Sequence, residues 1–380
     1  MNPNEPIDKA ISKWQAAGVI TADTAARIRS FESQQASMER LRWPVLVALG
    51  LGGVAVCAGV LLFVAAHWDQ LSPGSRFTVV LALTALFPIA GAFIASRFPA
   101  LATTLYAIGT ISTGAGIFMA AQIFNLEEHY PNGILLWGVA ALLGWLLLRE
   151  WPQAAILALL VPAWLACEWV VRTDHYAHVG QPMVGGLLLL AIAYFTADRE
   201  AGDTTTRKAL VWIGGLMILP LVVAVVVSGD THSYPTSQPA LPAVWQAIGW
   251  VIAIALPLIV AFYLRGRAVW LNGLAAAWIV ILSLLCRGYR VEHSPAVYLW
   301  LTIGALGGVA WGVFERCKER VNLGIVGFAI TVIAFYFSTV ADMLGRSAGL
   351  LGLGLLLIGG GWAMERTRRR LVARIAGDGR

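Results

Sequence analysis

The sequence predicts an all-α membrane protein, a polytopic transmembrane helix bundle of about 12 spans with both termini in the cytoplasm. Of its 380 residues, 58% are hydrophobic and only 13% are charged, whereas a soluble domain carries about 25% charged residues. Several apolar runs exceed the ~18 residues that mark a candidate membrane span. Because backbone groups in hydrocarbon need hydrogen-bond partners within their own segment, these runs are expected to form helices.

The apolar runs divide the chain into three parts: a cytoplasmic helical segment over residues 1–43, a transmembrane domain over 44–364 and a basic cytoplasmic tail over 365–380. The fourth, sixth and twelfth runs are short, so 10 or 11 true spans are alternatives. The connections are brief and leave no room for an extramembrane domain between spans. The predicted spans lie near residues 44–66, 77–95, 101–124, 133–148, 153–171, 180–197, 209–228, 243–264, 269–286, 295–314, 321–341 and 347–364.

The distribution of basic residues predicts the orientation of these spans. With the N-terminus inside and the spans alternating, 22 of the 27 Lys and Arg residues fall on the inner side and 5 on the outer side. An excess of Lys and Arg in cytoplasmic loops is the usual orienting signal, so both termini are predicted to lie inside. The arginines at 366 and 368–370 directly follow the last span, where they anchor it and can attract anionic lipid.

The polar first segment has a helical pattern of its own. Ile7, Ile11 and Trp14 recur at helical spacing, Gly18 breaks the pattern, and Thr21 is placed to cap a second helix. These features predict a short cytoplasmic helical hairpin. Whether this hairpin binds a partner or serves only as a polar lead-in stays open.

The predicted partners are the lipid bilayer and a small-molecule solute. The net charge of +6 does not indicate nucleic-acid binding, because the basic residues flank apolar runs. The sequence contains no phosphate-binding or nucleophile motif of a soluble enzyme, and no cofactor is predicted. The 4 cysteines are too few and too scattered for a disulfide framework. The oligomeric state stays open.

A second pattern concerns the six histidines, all of which fall in predicted outer loops. Imidazole beside carboxylate suits zinc and similar metals, and it also suits a proton-responsive or catalytic site. The alternative is that outer loops poor in Lys and Arg simply draw their polar residues from His and acids. Glu168, about one turn from the outer end of its span, either joins such a site or reaches the interface. The outer-face candidates are His67, Asp69, Glu128, His129, Glu168, Asp174, His175 and His178.

The spans themselves carry few polar groups, and none has a charge at its centre, which weighs against an ion-coupled pump. Asn272 is one of the neutral polar residues that can hydrogen-bond between helices. Gly304, Gly308 and Gly312 repeat on one face of the tenth span, a pattern that suits close helix packing. Tryptophans near span ends are predicted to lie at the headgroup layer; they are Trp43, Trp68, Trp151, Trp169 and Trp270.

Several stretches carry a family resemblance. Trp14–Ile20, Val64–Trp68 and Gly114–Phe124 resemble the DUF2157 family of predicted bacterial membrane proteins, over about residues 5–150. The stretch from Phe335 to Arg370 resembles the tails of its longer members and the related DUF4401 proteins. The resemblance implies a multi-pass protein of the bacterial cytoplasmic membrane and no established activity. Family members more often carry Asn at the position of His67, so the resemblance implies no shared catalytic role for this histidine.

Two functions of different classes are compatible with these observations. The first is a transporter or permease for a small, neutral or organic solute, favoured by the number of spans, the glycine faces and the prolines within spans. The second is a membrane-embedded enzyme or envelope-assembly factor that uses the outer histidines and acids. A polar cavity at mid-membrane depth favours the first function, and convergence of Glu168 with two or more histidines favours the second.

Overall fold

The computed structural model describes residues 11, 14–15, 17–18, 20–28, 30, 71–125, 129–177, 179–197, 205–229, 238–287, 294–340, 354 and 359. The chain divides into two compact units, Met1–Val79 and Val80–Arg380. Throughout the described ranges the regular elements are helical, and one isolated bridge joins Ala177 to Ala240.

In the first unit, residues 22–28 are helical and Thr21 caps them. The amide of Thr24 donates to the Thr21 hydroxyl at 3.3 Å, the bond that an N-cap threonine provides. Gly18 has a φ of +70°, which glycine adopts without a Cβ clash, so the chain turns there. Ile11 and Ala25 are fully buried. Cap and turn lie where the sequence predicts them.

Ten α-helices and two short helical turns follow in the described part of the chain. Pro73, Pro99, Pro131 and Pro295 begin four of them, because proline has no N–H to leave unpaired in a first turn. The helices are α1 (Pro73–Ile94), α2 (Pro99–Ile123), α3 (Pro131–Leu148), α4 (Trp151–Thr173), α5 (Gly180–Phe195), α6 (Thr205–Gly229), α7 (Ala243–Arg265), α8 (Trp270–Cys286), α9 (Pro295–Phe314) and α10 (Lys318–Phe335). A 3-10 turn, Gly266–Val269, joins α7 to α8, and a π turn, Tyr336–Val340, follows α10.

The helices correspond to ten of the predicted spans, and each begins within about four residues of its predicted start. Eight helical stretches are long and apolar enough to cross a membrane, counting Ala243–Cys286 as one, whereas α5 is shorter. In fact Gly266, with a φ of +60°, and the 3-10 turn divide that stretch into α7 and α8. The first and twelfth predicted spans lie almost wholly outside the described residues. The all-helical membrane class is confirmed, while the number 12 and the orientation stay predictions.

Packing in the second unit centres on α5. This helix packs most extensively against α6 and α7 and also against α8, while α3 pairs with α4 and α9 with α10. Leu188, Leu189, Ile279 and Leu282 are nearly or fully buried in the core between α5 and α8. By contrast, large apolar side chains on the outer helices are exposed, among them Phe93 and Leu147. An extensive exposed apolar surface of this kind marks contact with lipid.

The predicted packing role of the tenth-span glycines is confirmed on α9. A Cβ at Gly304 would overlap the Trp278 ring of α8, and one at Gly312 would lie 2.6 Å from the Val321 amide nitrogen of α10. Gly308 faces the Cα of Gly324 at 3.8 Å. These glycines therefore let α8 and α10 approach α9 closely.

The predicted tryptophan belt is supported only in part by the described residues. Trp151 and Trp270 are exposed, as expected for rings at a membrane interface. Trp169 is instead half-buried, donates to the Val179 carbonyl at 2.8 Å and packs against Gly249. Its indole therefore has a structural role within the helix bundle. Residues 43 and 68 lie outside the described residues.

Candidate functional site

The predicted outer-face residues are only partly within the described ranges. His129, Glu168, Asp174 and His175 are described, and His67, Asp69, Glu128 and His178 lie outside the described residues. A site formed by all eight residues therefore stays a prediction.

His129 and Glu168 are brought together although they are 39 residues apart. His129 Nε2 lies 2.6 Å from Glu168 Oε2, and Arg172 Nε donates to Glu168 Oε1 at 2.6 Å. Glu168 and Arg172 stand one turn apart on α4, and His129 precedes α3, which packs on α4. The Glu168 side chain is 18% exposed. Glu168 therefore contacts a histidine that the sequence assigns to an outer loop, while its membership of an outer site stays a prediction.

The other described candidates lie at the surface, at the C-terminal end of α4. Asp174 and His175 are exposed, and the Asp174 carbonyl accepts a bond from Gln238 Nε2 at 3.2 Å. Partial desolvation, together with Cys167 and Asp174, raises the pKa of the exposed Tyr130 phenol. Among the described residues, no three His, Cys, Asp or Glu side chains come close enough to hold a metal ion. The described residues bring one histidine to Glu168, not the two or more that would favour an enzyme.

A larger polar cluster, which the sequence did not predict, lies at the opposite ends of the helices. The Glu315 carboxylate pairs with both Arg265 and Arg320, and it also accepts a bond from Trp311 Nε1 at 2.8 Å. Arg265 Nη1 donates to Asn272 Oδ1 at 3.0 Å. Both guanidiniums lie near the Trp311 ring, with their Cζ atoms 5.0 Å and 5.8 Å from its centroid, within the range of a cation–π contact.

This cluster joins five helices. Arg265 is the last residue of α7, Asn272 lies in the first turn of α8, and Arg320 in that of α10. Asn272 Nδ2 donates to Thr196 Oγ1 at 3.1 Å, and Arg320 Nη2 donates to the Thr196 carbonyl at 3.3 Å. Thr196 directly follows α5. The polar contacts therefore tie the ends of α5, α7, α8, α9 and α10 together.

A tight turn between α9 and α10 places Glu315 in the cluster. The amide of Glu315 bonds to the Trp311 carbonyl at 3.0 Å, and that of Cys317 bonds to the Gly312 carbonyl at 2.8 Å. Arg316 has a φ of +53°, the left-handed conformation that usually requires glycine after a helix. The turn reverses the chain within about three residues, so Glu315 and Arg320 face each other.

The cluster forms one wall of a cleft of about 550 Å³. Arg265 and Arg320 are buried, whereas Arg316 and Lys318 are exposed. The charged residues that line the cleft are four bases and two acids: Arg265, Arg316, Lys318, Arg320, Glu315 and Glu319. An excess of two positive charges in a concave surface favours an anionic ligand.

A third polar group lies at the other ends of α5 and α8. Gln181 is buried, and its Nε2 donates to the Ser283 carbonyl at 3.1 Å, while Arg287 Nε donates to its Oε1 at 2.5 Å. Thr196, at the C-terminal end of α5, meets Asn272, at the N-terminal end of α8. The two helices are therefore antiparallel, with polar groups at both ends of their contact. The apolar core lies between these two polar ends.

The sequence does not predict the cluster around Glu315, because its basic residues have the pattern of ordinary span flanks. Arg265, Arg316, Lys318 and Arg320 all fall in predicted inner connections, where basic residues orient the spans and are usually solvated. One signal was available: Glu315 and Glu319 are acids within a basic connection of six residues, 315–320. Acids at such positions indicate paired charges, but only the fold shows which base each acid meets.

The fold and these polar clusters define a polytopic α-helical membrane protein. Residues 12–154 match a family model described as "Predicted membrane protein (DUF2157)". The resemblance noted from the sequence is thus confirmed over this part of the chain, whereas a likeness of the C-terminal part to DUF4401 is not shown. No curated protein and no solved structure matches the chain. The family description names no activity, so a function must be argued from the structure.

Proposed function

We propose that the chain spans the bacterial cytoplasmic membrane twelve times with both termini inside. Contacts of connections with each other and with the neighbouring span ends support this arrangement, because each contact pairs residues predicted to lie at the same side of the membrane. On the outer side, His129 meets Glu168 and Asp174 meets Gln238. On the inner side, Thr103 bonds to Glu150 at 3.1 Å, and Arg207 bonds to the Leu264 carbonyl at 3.4 Å.

We further propose that the protein is a permease for a small solute, with its route along the contact between α5 and α8. The observation that carries this proposal is the polar–apolar–polar order along that contact. Gln181 and Ser283 are buried at one end, and Thr196 and Asn272 at the other. Buried polar groups in membrane helices commonly line substrate pathways.

The apolar core between the two polar ends acts as a closed gate in this proposal. Leu188, Ile279 and Leu282 are nearly or fully excluded from solvent, and hydrophobic constrictions close pores by excluding water. The inner cleft opens beside Thr196, so solute can approach the route from the cytoplasm. Transport then requires α5 and α8 to separate at their middle turns.

Substitution of one gate residue tests the proposal. Ile279→Thr keeps the branched Cβ but replaces the ethyl group with a smaller hydroxyl that water can solvate. We expect proteoliposomes with this variant to take up glycerol severalfold faster than those with the parent, measured by light scattering during osmotic swelling. The matched control is Leu274→Thr, on the same helix but 60% exposed. Equal uptake by the two variants and the parent would contradict a route between α5 and α8.

A second candidate function is a membrane-embedded enzyme or envelope-assembly factor at the outer face. The specific observation in its favour is the 2.6 Å contact between His129 and Glu168. We propose that this site is completed by His67, Asp69, Glu128, Asp174, His175 and His178.

Zinc titration of the purified full chain by calorimetry tests whether this outer-face site binds a metal. We expect His129→Ala and the double variant His175→Ala, His178→Ala to lose zinc binding. Variants that bind zinc as the parent does would exclude a metal site at the outer face.

A further inference from the structure

An apolar groove adjoins the basic cleft. It has a volume of about 750 Å³ and runs along α7 and the start of α8, where its lining includes Leu258, Phe262, Tyr263, Trp270 and Gly273. Trp270 lines both the groove and the cleft. The basic surface and the apolar surface therefore adjoin at this indole.

We propose that the cleft and the groove together bind one anionic phospholipid, with its phosphate in the cleft and an acyl chain in the groove. The proposal does not depend on transport. Either surface alone would be ambiguous, since a basic cleft also suits a soluble anion and an apolar groove suits any acyl chain. Their adjacency at Trp270 matches the amphipathic structure of a phospholipid.

The positions of the charges indicate which residues meet the headgroup. Arg265 and Arg320 are buried and paired with Glu315, so they supply fixed positive charge at the back of the cleft. Arg316 and Lys318 are exposed on its rim, where they can reach a lipid phosphate. In the proposed orientation this rim lies at the cytoplasmic leaflet, which carries anionic lipids.

The aromatic residues suit the boundary between headgroup and acyl chain. Tyr263 is 79% exposed and Trp270 is 56% exposed. Rings with a polar edge are stable at this depth of a bilayer. Gly273 leaves the groove open, because a Cβ at this position would meet no atom within 4 Å. A larger side chain at this position therefore fills the groove without disturbing the helix packing.

The test is the retention of lipid by the purified full chain, measured by native mass spectrometry. The protein is exchanged into mixed micelles that contain equal amounts of phosphatidylglycerol and phosphatidylcholine. We expect phosphatidylglycerol to be retained at least fivefold over phosphatidylcholine. Loss of the two rim charges in the double variant Arg316→Ala, Lys318→Ala is expected to weaken its retention roughly tenfold or more, since each basic residue near an anionic surface contributes to binding.

Two further variants distinguish binding at the proposed site from a general attraction between basic residues and anionic lipid. Arg267→Ala removes a charge from the same side of the protein but outside the cleft lining, and it is expected to retain phosphatidylglycerol as the parent does. Gly273→Leu keeps every charge and blocks the groove, and it is expected to lose the preference. An equal effect of Arg267→Ala and the rim variant, or no effect of Gly273→Leu, would overturn the proposal. Displacement of the lipid by millimolar inorganic phosphate would also overturn it, in favour of a soluble-anion site.

Discussion

Two buried guanidiniums share one carboxylate at Glu315. Removing two charges from water costs several kcal/mol per ion, and pairing offsets this cost only when every charge is satisfied. Arg265 and Arg320 depend on the same acid and are both shielded from water. The cluster is therefore most sensitive to loss of the shared carboxylate.

Glu315→Gln tests this dependence. The variant keeps the shape of the side chain but removes the negative charge that two buried cations share, so we expect a loss of about 2–4 kcal/mol in the free energy of unfolding. Titration with denaturing detergent, followed by circular dichroism, measures the change. The control is Glu319→Gln, which neutralises an exposed acid on the same turn. Equal stability of the two variants would show that the buried pairing contributes nothing.

The indole N–H groups of Trp278 and Trp164 differ in their hydrogen bonding, and this difference gives a second prediction. Trp278 Nε1 donates to the Trp300 carbonyl and Trp300 Nε1 to the Trp278 carbonyl, both at 3.0 Å. The buried Trp164 Nε1 finds no hydrogen-bond partner among the described residues. We expect Trp278→Phe to cost about 1 kcal/mol more than Trp164→Phe in the same unfolding assay, because an unsatisfied N–H is itself unfavourable. A larger cost for Trp164→Phe would contradict these hydrogen-bond assignments.

Glycine determines how closely the helices α9 and α10 can pack. Between α9 and α10, a Cβ at Gly324 would lie 2.8 Å from the Ala305 carbonyl oxygen and from the Val309 amide nitrogen. Backbone atoms cannot move aside as a flexible side chain can. The α9–α10 hairpin therefore requires glycine at this position, and the same hairpin carries Glu315 in its turn.

Alanine substitutions on this hairpin test the requirement. Gly324→Ala forces the two helices apart, and we expect it to cost about 1–3 kcal/mol in the free energy of unfolding. Gly307→Ala is the control, since a Cβ at Gly307 meets no atom within 4 Å. Gly307→Ala should be neutral or slightly stabilising, because alanine favours helix over glycine by about 1 kcal/mol. A Gly324→Ala variant as stable as Gly307→Ala would contradict the close packing of α9 on α10.

The orientation is a property of the whole molecule. Each inner–outer assignment depends on the alternation of all spans, so one missing span would reverse every connection after it. Fusions of alkaline phosphatase after Tyr130 and Ala240 are expected to be active outside the cytoplasm, and fusions after Arg149 and Ala268 inactive. Green fluorescent protein at the same positions should give the opposite pattern. Phosphatase activity after Ala268 would contradict the predicted orientation and place the basic cleft on the outer face.

The sequence by itself determined the class of this protein and the approximate bounds of its helices. Hydrophobic length and charge placement are local properties, and the membrane forces every apolar run of sufficient length into a helix. The sequence left open whether Glu168 joins an outer-loop site, and its pairing with His129 depended on α3 packing against α4. Only the tertiary structure decided that Arg265, Glu315 and Arg320 meet. Arg265 lies 50 positions before Glu315 and at the end of another helix, so their pairing depends on which helices are neighbours. The residue pattern of a single helix does not specify those neighbours.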